Sequence, residues 1–518
     1  MEKEIFRTRR RFLGQVGQIS CSALTVSATG IQAFGQDEDS GPVDCGPPPQ
    51  AAPQSQTGGE SFAPLPLPVT PLRRSEKKRP PSPPTLIGKA ALGNPKWRTV
   101  DGKRTMYRDW MTDPADVKTL LDWTNEKLGI NYKASEADLG NFSFDPRELP
   151  ALLLAGHNSF SFTDIQRAQL QRFVMDGGTL IADACCGWKD FTDSFRNEME
   201  IIFPGRVLRK MLPDNPIFST YYRLDQAFTY KKADGEIYTD EPSLESIEFG
   251  CRDGVIFSSA DMTCGWDGHE HPRGTRMTID LARQVGANIV TYMLGTFQLG
   301  RFLSTSKIYF DEKAPARDEF VFAQIVHEGD WDPDPSAVYN LLKFAKDSST
   351  LEVKFKRENI KISDPSALTY PIWYMTGHRE FVFSNDDAAR LRQFVEAGGI
   401  FLADACCGRT TFDTAFRSEI RKVFQDNPLV PIPKDHPIYH CHFELDKAEY
   451  TPRVAEDYGN IDEPELEAVM IDDKPVVIYS RFDLGNGWER FAHPYAYGYA
   501  DQTALEIGTN LLIYAVTH

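Results

Sequence analysis

The chain has 518 residues, 41% apolar and 25% charged, a globular composition with room for two or three domains. Its net charge of −17 opposes binding to a polyanion, which needs cationic groups to displace counterions, and so argues against nucleic acid as a partner. The one basic run, Arg73-Arg74 with Lys77-Lys78-Arg79, falls in a proline-rich stretch and reads as solvated linker.

At the amino terminus, Thr8-Arg9-Arg10-Arg11-Phe12-Leu13 has the twin-arginine form. A weakly apolar stretch from Gly14 to Gln32 follows, and Ala33-Phe34-Gly35 offers small residues for a cut before Gln36. Residues 1–35 are therefore expected to be an export signal and the mature protein periplasmic or extracellular. Gln15, Gln18 and Ser20 make the stretch too polar to span a bilayer, so no transmembrane segment is expected in the mature chain. Thirteen prolines fall between Pro42 and Pro84. A segment so poor in large apolar residues cannot offset its ordering entropy, so residues 36–95 are expected to form a disordered tether.

Residues 96–300 and 301–518 are expected to be two domains, because the chain repeats itself. Asp183-Ala-Cys185-Cys186-Gly187 returns as Asp404-Ala-Cys406-Cys407-Gly408, 221 residues on, and Asp109-Trp110 and Gly156-His157 return as Asp330-Trp331 and Gly377-His378. After a one-residue slip, Gly265-Trp266 and His271-Pro272 pair with Gly487-Trp488 and His493-Pro494. Solenoid repeats run about 20–50 residues, so this is a duplicated domain, and a two-fold-like interface between copies is the natural expectation. Within each copy, Leu152–Ala155 and Ile372–Met375 read as strands buried on both faces. The capping boxes Thr163-x-x-Gln166 and Ser384-x-x-Asp387 open helices that Gly177-Gly178 and Gly398-Gly399 close. Second strands follow at Thr179–Ala182 and Ile400–Ala403. Next comes a helix whose seam, Phe191, Phe195, Met199 and Ile202 or Phe412, Phe416, Ile420 and Val423, reads as core. This alternation predicts an open, doubly wound α/β sheet. Ligands of such sheets sit beyond the carboxyl ends of the strands, the ends that carry His378, Asp404, Cys406, Cys407, Asp483 and Trp488, with His157 and Asp183 in the first copy.

The order Asp-Trp, Gly-His, Leu391-Arg392-x-Phe394-Val395-x-x-Gly398-Gly399, Asp-Ala-Cys-Cys, Phe416-Arg417-x-Glu419, Asp435-His436-Pro437-Ile438, Gly-Trp and Gly508-x-Asn510 resembles the family known as domain of unknown function 4159, over most of both copies. The resemblance implies two tandem flavodoxin-like three-layer α/β/α domains of the class I glutamine amidotransferase-like superfamily. That superfamily carries a catalytic cysteine on a Gly-x-Cys-x-Gly elbow with a late His-Pro-Glu. By that likeness the catalytic candidates are Cys406 with His493, and Cys185 with His271. Asp183 and Asp404 replace the first elbow glycine, and Arg273 and Tyr495 replace the glutamate, so a buried structural Cys-Cys pair is the competing reading.

Neither C-x-x-C nor H-x-x-x-H spacing occurs at these loops, and no metal is assigned from spacing. Nor does the sequence specify any other cofactor, or a connectivity for disulfides that an exported protein can form. The leading expectation is an exported, non-catalytic protein binding a small-molecule or protein ligand. A Cys-dependent hydrolase or amidase and a metal-dependent accessory of carbohydrate processing are the alternatives. Lysine does not reproduce the guanidinium geometry of the export motif. Replacing both Arg9 and Arg10 by lysine is expected to leave the protein in the cytoplasm, as fractionation followed by immunoblotting would show; unchanged export would exclude the route.

Overall fold

The computed structural model describes residues 82–93, 96–100, 102–111, 113, 115–141, 145–232, 234–268, 274–303, 319–349, 354–490 and 493–517. The expected export signal and most of the proline-rich segment lie outside the described residues. Copy one comprises β1 (Thr85–Ala90), α1 (Asp116–Leu128), β2 (Lys133–Ala137), β3 (Ala151–Gly156), α2 (Asp164–Met175), β4 (Thr179–Ala184), α3 (Lys189–Ile202), β5 (Arg209–Lys210), β6 (Leu244–Phe249), β7 (Arg252–Ser258), α4 (Thr263–Asp267) and α5 (Ile279–Leu303). Copy two comprises β8 (Glu319–Ile325), α6 (Ala337–Ser348), β9 (Lys354–Ile360), β10 (Ile372–Gly377), α7 (Asn385–Glu396), β11 (Ile400–Ala405), α8 (Thr410–Val423), β12 (Leu429–Pro431), α9 (Pro452–Tyr458), β13 (Glu467–Ile471), β14 (Lys474–Ser480), α10 (Gly485–Trp488) and α11 (Asp501–Thr517).

The strand orders match: β2-β1-β3-β4-β7-β6-β5 and β9-β8-β10-β11-β14-β13-β12. Five neighbouring strands run parallel and the sixth turns back antiparallel. The strands carrying Asp183 and Asp404 are central in both sheets. Alternating side chains divide each sheet between two cores. In copy two, Tyr374 and Leu402 pack with α6 and α11, and Trp373 and Phe401 with α7 and α8. Each copy is thus a three-layer α/β/α domain.

Local signals act as the sequence suggests. Both capping boxes form. The glycine pairs divide their work: Gly177 and Gly398 take positive φ, 102° and 92°. A Cβ at Gly178 or Gly399 would lie 2.5 or 2.2 Å from the ring of Phe173 or Phe394. Among the described residues no helix is long and apolar enough to cross a membrane.

Two expectations need correction. The tether does not run to residue 95, because residues 85–90 form β1, an inner strand between β2 and β3. A hairpin, Lys96–Val100 with Lys103–Tyr107, separates β1 from Asp109 and breaks the 221-residue offset that would have revealed the strand. The interface is also not two-fold. The β6–β7 turn and the loop of residues 213–226 of copy one meet the strand-end face of copy two. Their contacts are Glu248 with Arg379 at 2.8 Å, Cys251 with Cys406 at 3.3 Å, and the Asp214 carbonyl with Arg409 at 2.7 Å. The matching turn in copy two, Asp472-Asp473, is solvent-exposed. The packing is head to tail.

Phe416 is fully buried and stacks on Tyr479 at 4.3 Å. Phe416→Ala is expected to cost about 3–5 kcal/mol of unfolding free energy, measured by denaturant titration; a loss under about 1 kcal/mol would remove this seam from the core.

Candidate metal centre

In each copy the central strand ends in a single tight turn that leads into a long helix: Cys185-Cys186-Gly187 before α3, and Cys406-Cys407-Gly408 before α8. The second cysteine is left-handed, with φ 57° at Cys186 and 54° at Cys407. That conformation is costly outside glycine and persists only where surroundings enforce it. Two buried aspartates per copy supply the enforcement. Asp483 accepts the Cys407 amide and, at 2.9 Å, that of Asn486; Asp261 accepts the amides of Cys186 at 2.7 Å and Cys264 at 3.0 Å. Asp404 accepts the amides of Leu484 and Gly485 at 2.9 and 3.2 Å and the Tyr374 hydroxyl at 2.7 Å. Asp183 does the same with the Met262 amide at 3.0 Å and the Thr263 hydroxyl at 2.7 Å. Burial pushes these carboxyls above their ordinary range, Asp261 to about 6, while the amides pull the other way.

Around the copy-two turn, one ligand atom each from Cys251, His378, Cys406 and Cys407 lies within 4.8 Å of every other, and all four residues are buried. Cys251 comes from the β6–β7 turn of copy one. Its Sγ is 3.3 Å from that of Cys406, and Asp334 accepts from both thiols at 3.2 and 3.3 Å. His378 Nδ1 is 2.7 Å from Asp330, and its Nε2 finds no hydrogen-bond partner among the described residues. Hydrogen bonds from Cys251 and Cys406, helped by His378, hold the Cys407 thiol well below its usual range. Burial disfavours the imidazolium, yet Asp330 and Cys407 raise His378 above its ordinary value. In copy one, Cys185, Cys186, Cys264 and Asp261 converge within the same limit, with Asp113 accepting from Cys185 at 3.2 Å and Cys264 at 3.5 Å. His157 stands outside that set, its Nδ1 3.4 Å from Asp109.

The residues expected at the strand ends divide into three groups. His378, Cys406 and Cys407 converge, as do Cys185 and Cys186. Asp183, Asp404 and Asp483 are there too, spent on backbone amides. Trp488 lies in the core, bonding the Ala504 carbonyl at 2.8 Å, and a Cβ on Gly508 would fall 2.7 Å from its indole nitrogen. The paired Gly-Trp and Gly-x-Asn motifs are therefore packing motifs. His493 is fully buried; its Nδ1 accepts the Tyr495 amide at 3.2 Å and its Nε2 has no partner among the described residues, so no hydrogen bond joins it to Cys406. His271 lies outside the described residues. The seven described cysteines are all free thiols. Sequence reasoning missed Cys251, Cys264, Asp330, Asp109, Asp113 and Asp334 as site residues. The shared pattern Asp-Trp-x-x-Asp-Pro at 109–114 and 330–335 was a usable signal, whereas nothing in the repeat points to Cys251, whose counterpart is Asp473.

Fold and site thus define a tandem α/β protein with a buried thiol cluster at the elbow of each copy. The family model described as Domain of unknown function (DUF4159) matches twice, at residues 102–294 and 321–516. The chain belongs to this family, as a tandem of two such domains. No curated protein matches the chain.

Cys441 is only partly buried, its thiol bonded to the Asn510 carbonyl at 3.3 Å. Iodoacetamide, read by peptide mass spectrometry, is expected to label Cys441 well before the six buried thiols of native protein. Labelling of Cys186 or Cys407 at the rate of a free thiol would contradict this burial.

Proposed function

We propose that this is an exported binding protein in which each copy holds a soft transition-metal cation of the zinc class at its elbow. In copy two the cation is bound by Cys251, Cys406, Cys407 and His378; in copy one it is bound by Cys185, Cys186 and Cys264, with Asp261, whose oxygens also accept the Cys186 and Cys264 amides, offering a remaining lone pair as the fourth donor. The observation that carries the reading is the convergence of three buried thiols and one buried imidazole nitrogen within 4.8 Å. Zinc–sulfur bonds of about 2.3 Å in a tetrahedron separate sulfurs by about 3.8 Å, a spacing the cluster reaches with small shifts. A thiolate and imidazole donor set selects zinc over harder cations. The Asp330 carboxylate behind His378 orients the ring and fixes its tautomer, as it does behind metal-bound histidines generally.

A second support comes from how the copies differ. Copy one has its third thiol on its own α4, at Cys264. Copy two has Asn486 in that place and receives Cys251 from copy one instead. Two routes to the same three-thiol count are what a metal requires; a nucleophile needs one thiol. With four protein donors the copy-two centre is closed, which suits a structural cation stapling copy one to copy two more than a catalytic one.

The alternative is a thiol nucleophile at Cys407, by likeness to amidotransferase-like elbows. The left-handed φ and the depressed thiol favour it. Against it, His493 Nε2 makes no hydrogen bond to a thiol among the described residues, and Cys407 is only 3% exposed. Elemental analysis of protein purified without chelators is expected to find about two zinc ions per chain. Cys251→Ser is expected to leave about one and to lower the melting temperature by several degrees, while Cys441→Ser keeps both. Metal-free protein that also fails to take up zinc when reduced would overturn the proposal, and fast single-thiol alkylation at Cys407 would support the nucleophile.

A further inference from the structure

The head-to-tail packing encloses a cavity of about 280 Å³ between the copies. One wall is the copy-one loop of residues 213–226; the other is the start of α8, with Arg453 of α9 and the rings of Tyr495 and Tyr497. Three guanidinium groups line it, from Arg223, Arg409 and Arg453, against a single carboxylate, Asp214. Its Oδ2 is engaged, accepting the Thr411 amide at 3.0 Å and the hydroxyls of Thr410 and Thr411, each at 3.1 Å; its Oδ1 accepts no hydrogen bond among the described residues and pairs with Arg409 Nη1 at 3.5 Å. Arg453 pairs with Asp457 at 3.1 Å and Glu456 at 3.8 Å and donates to Ser219 and Tyr497, and Arg223 also pairs with Asp457; neither acid is among the lining residues.

Arg409 is the decisive residue. Its side chain is 6% exposed, its Nη1 donates to the Asp214 carbonyl at 2.7 Å, and its Nε finds no acceptor among the described residues. A buried, unsatisfied N–H of a charged group is costly unless an acceptor reaches it. We propose that this cavity binds a small molecule bearing a carboxylate or phosphate, its oxyanion docked on Arg409 and Arg453 and its body against Phe218, Leu224 and Tyr495. A planar guanidinium with a free edge matches such oxyanions with two parallel hydrogen bonds, which a solvated cation does not provide.

Among the described residues, copy one does not repeat the site. Copy one has Trp188 in the place of Arg409, and where copy two has α9 it has the strands Phe228–Lys231 and Ile237–Asp240. The cavity is therefore built by joining two unlike copies. Cys407 lines it as well, so an occupant borders the elbow, but the proposal does not rest on the metal centre.

The test is isothermal titration calorimetry on the full mature chain, with inorganic phosphate in one arm and benzoate in the other. Saturable binding of one probe molecule per chain in either arm is expected, and the arm that binds identifies the oxyanion. Arg409→Lys, which keeps the charge but loses the fork, is expected to weaken binding about ten-fold. If circular dichroism shows that variant unfolded, Arg223→Gln, at a largely exposed side chain, is expected to weaken it about three-fold. No saturable binding of either probe up to about 10 mM, well beyond the range of a built site, overturns the proposal. So does parental affinity in every folded variant. Zinc content measured on the same samples keeps the two readings apart: zinc without oxyanion binding refutes the cavity alone, and oxyanion binding without zinc refutes the metal centre alone.

Discussion

A reciprocal tie between buried carboxylates and backbone amides carries each strand-end face. The aspartate at the end of the central strand, Asp183 or Asp404, grips the first amides of the short helix after the late strand. From that late loop, Asp261 or Asp483 grips the amide of the second elbow cysteine. Each carboxylate is taken fully out of water, a placement tolerable only when several N–H groups converge on it. The pair pins two loops that are distant in sequence and forces the left-handed turn. The turn in turn aims adjacent thiols into the same buried space. Without the tie, neither the cysteine conformation nor the convergence of thiols and imidazole has a cause.

The same balance of buried charge supports the proposed cation. Around the copy-two elbow, Asp334, Asp404 and Asp483 are buried beside three thiols and one imidazole, and burial drives their carboxyls upward, Asp334 to about 7. Asp404 and Asp483 spend their oxygens on amides. Among the described residues, Asp334 has only thiol protons to accept. A divalent ion bound to the thiolates supplies the positive charge that this desolvated cluster otherwise obtains by protonation. Copy one repeats the hydrogen-bonding pattern, with Asp113 accepting from thiols and Asp261 from amides. The copies diverge in how they close it, one from its own α4 and the other by borrowing a turn.

The fold was legible because its signals are local and repeated. Capping boxes, paired glycines and apolar runs at strand length occur twice, and each copy checks the other. The opening strand β1 was hidden because the inserted hairpin displaced it from the repeat and set it in a proline-rich context. The elbow was legible to within one residue: the motif marks the turn, but only backbone geometry assigns positive φ to Cys186 and Cys407 instead of Cys185 and Cys406. Cys251 was not legible. Its role depends on head-to-tail packing, which brings together side chains 155 residues apart, and periodicity within a copy carries no information about contact between copies. Trp488 misled for the opposite reason, since a motif repeated for packing looks like one repeated for binding.

X-ray absorption at the zinc edge of the purified protein tests the central claim most directly, because it reads the donor atoms. The account predicts a shell of about three sulfurs at about 2.3 Å per zinc, completed by one nitrogen or oxygen near 2.0 Å. A shell of nitrogen and oxygen alone, with no sulfur scatterer, would contradict it.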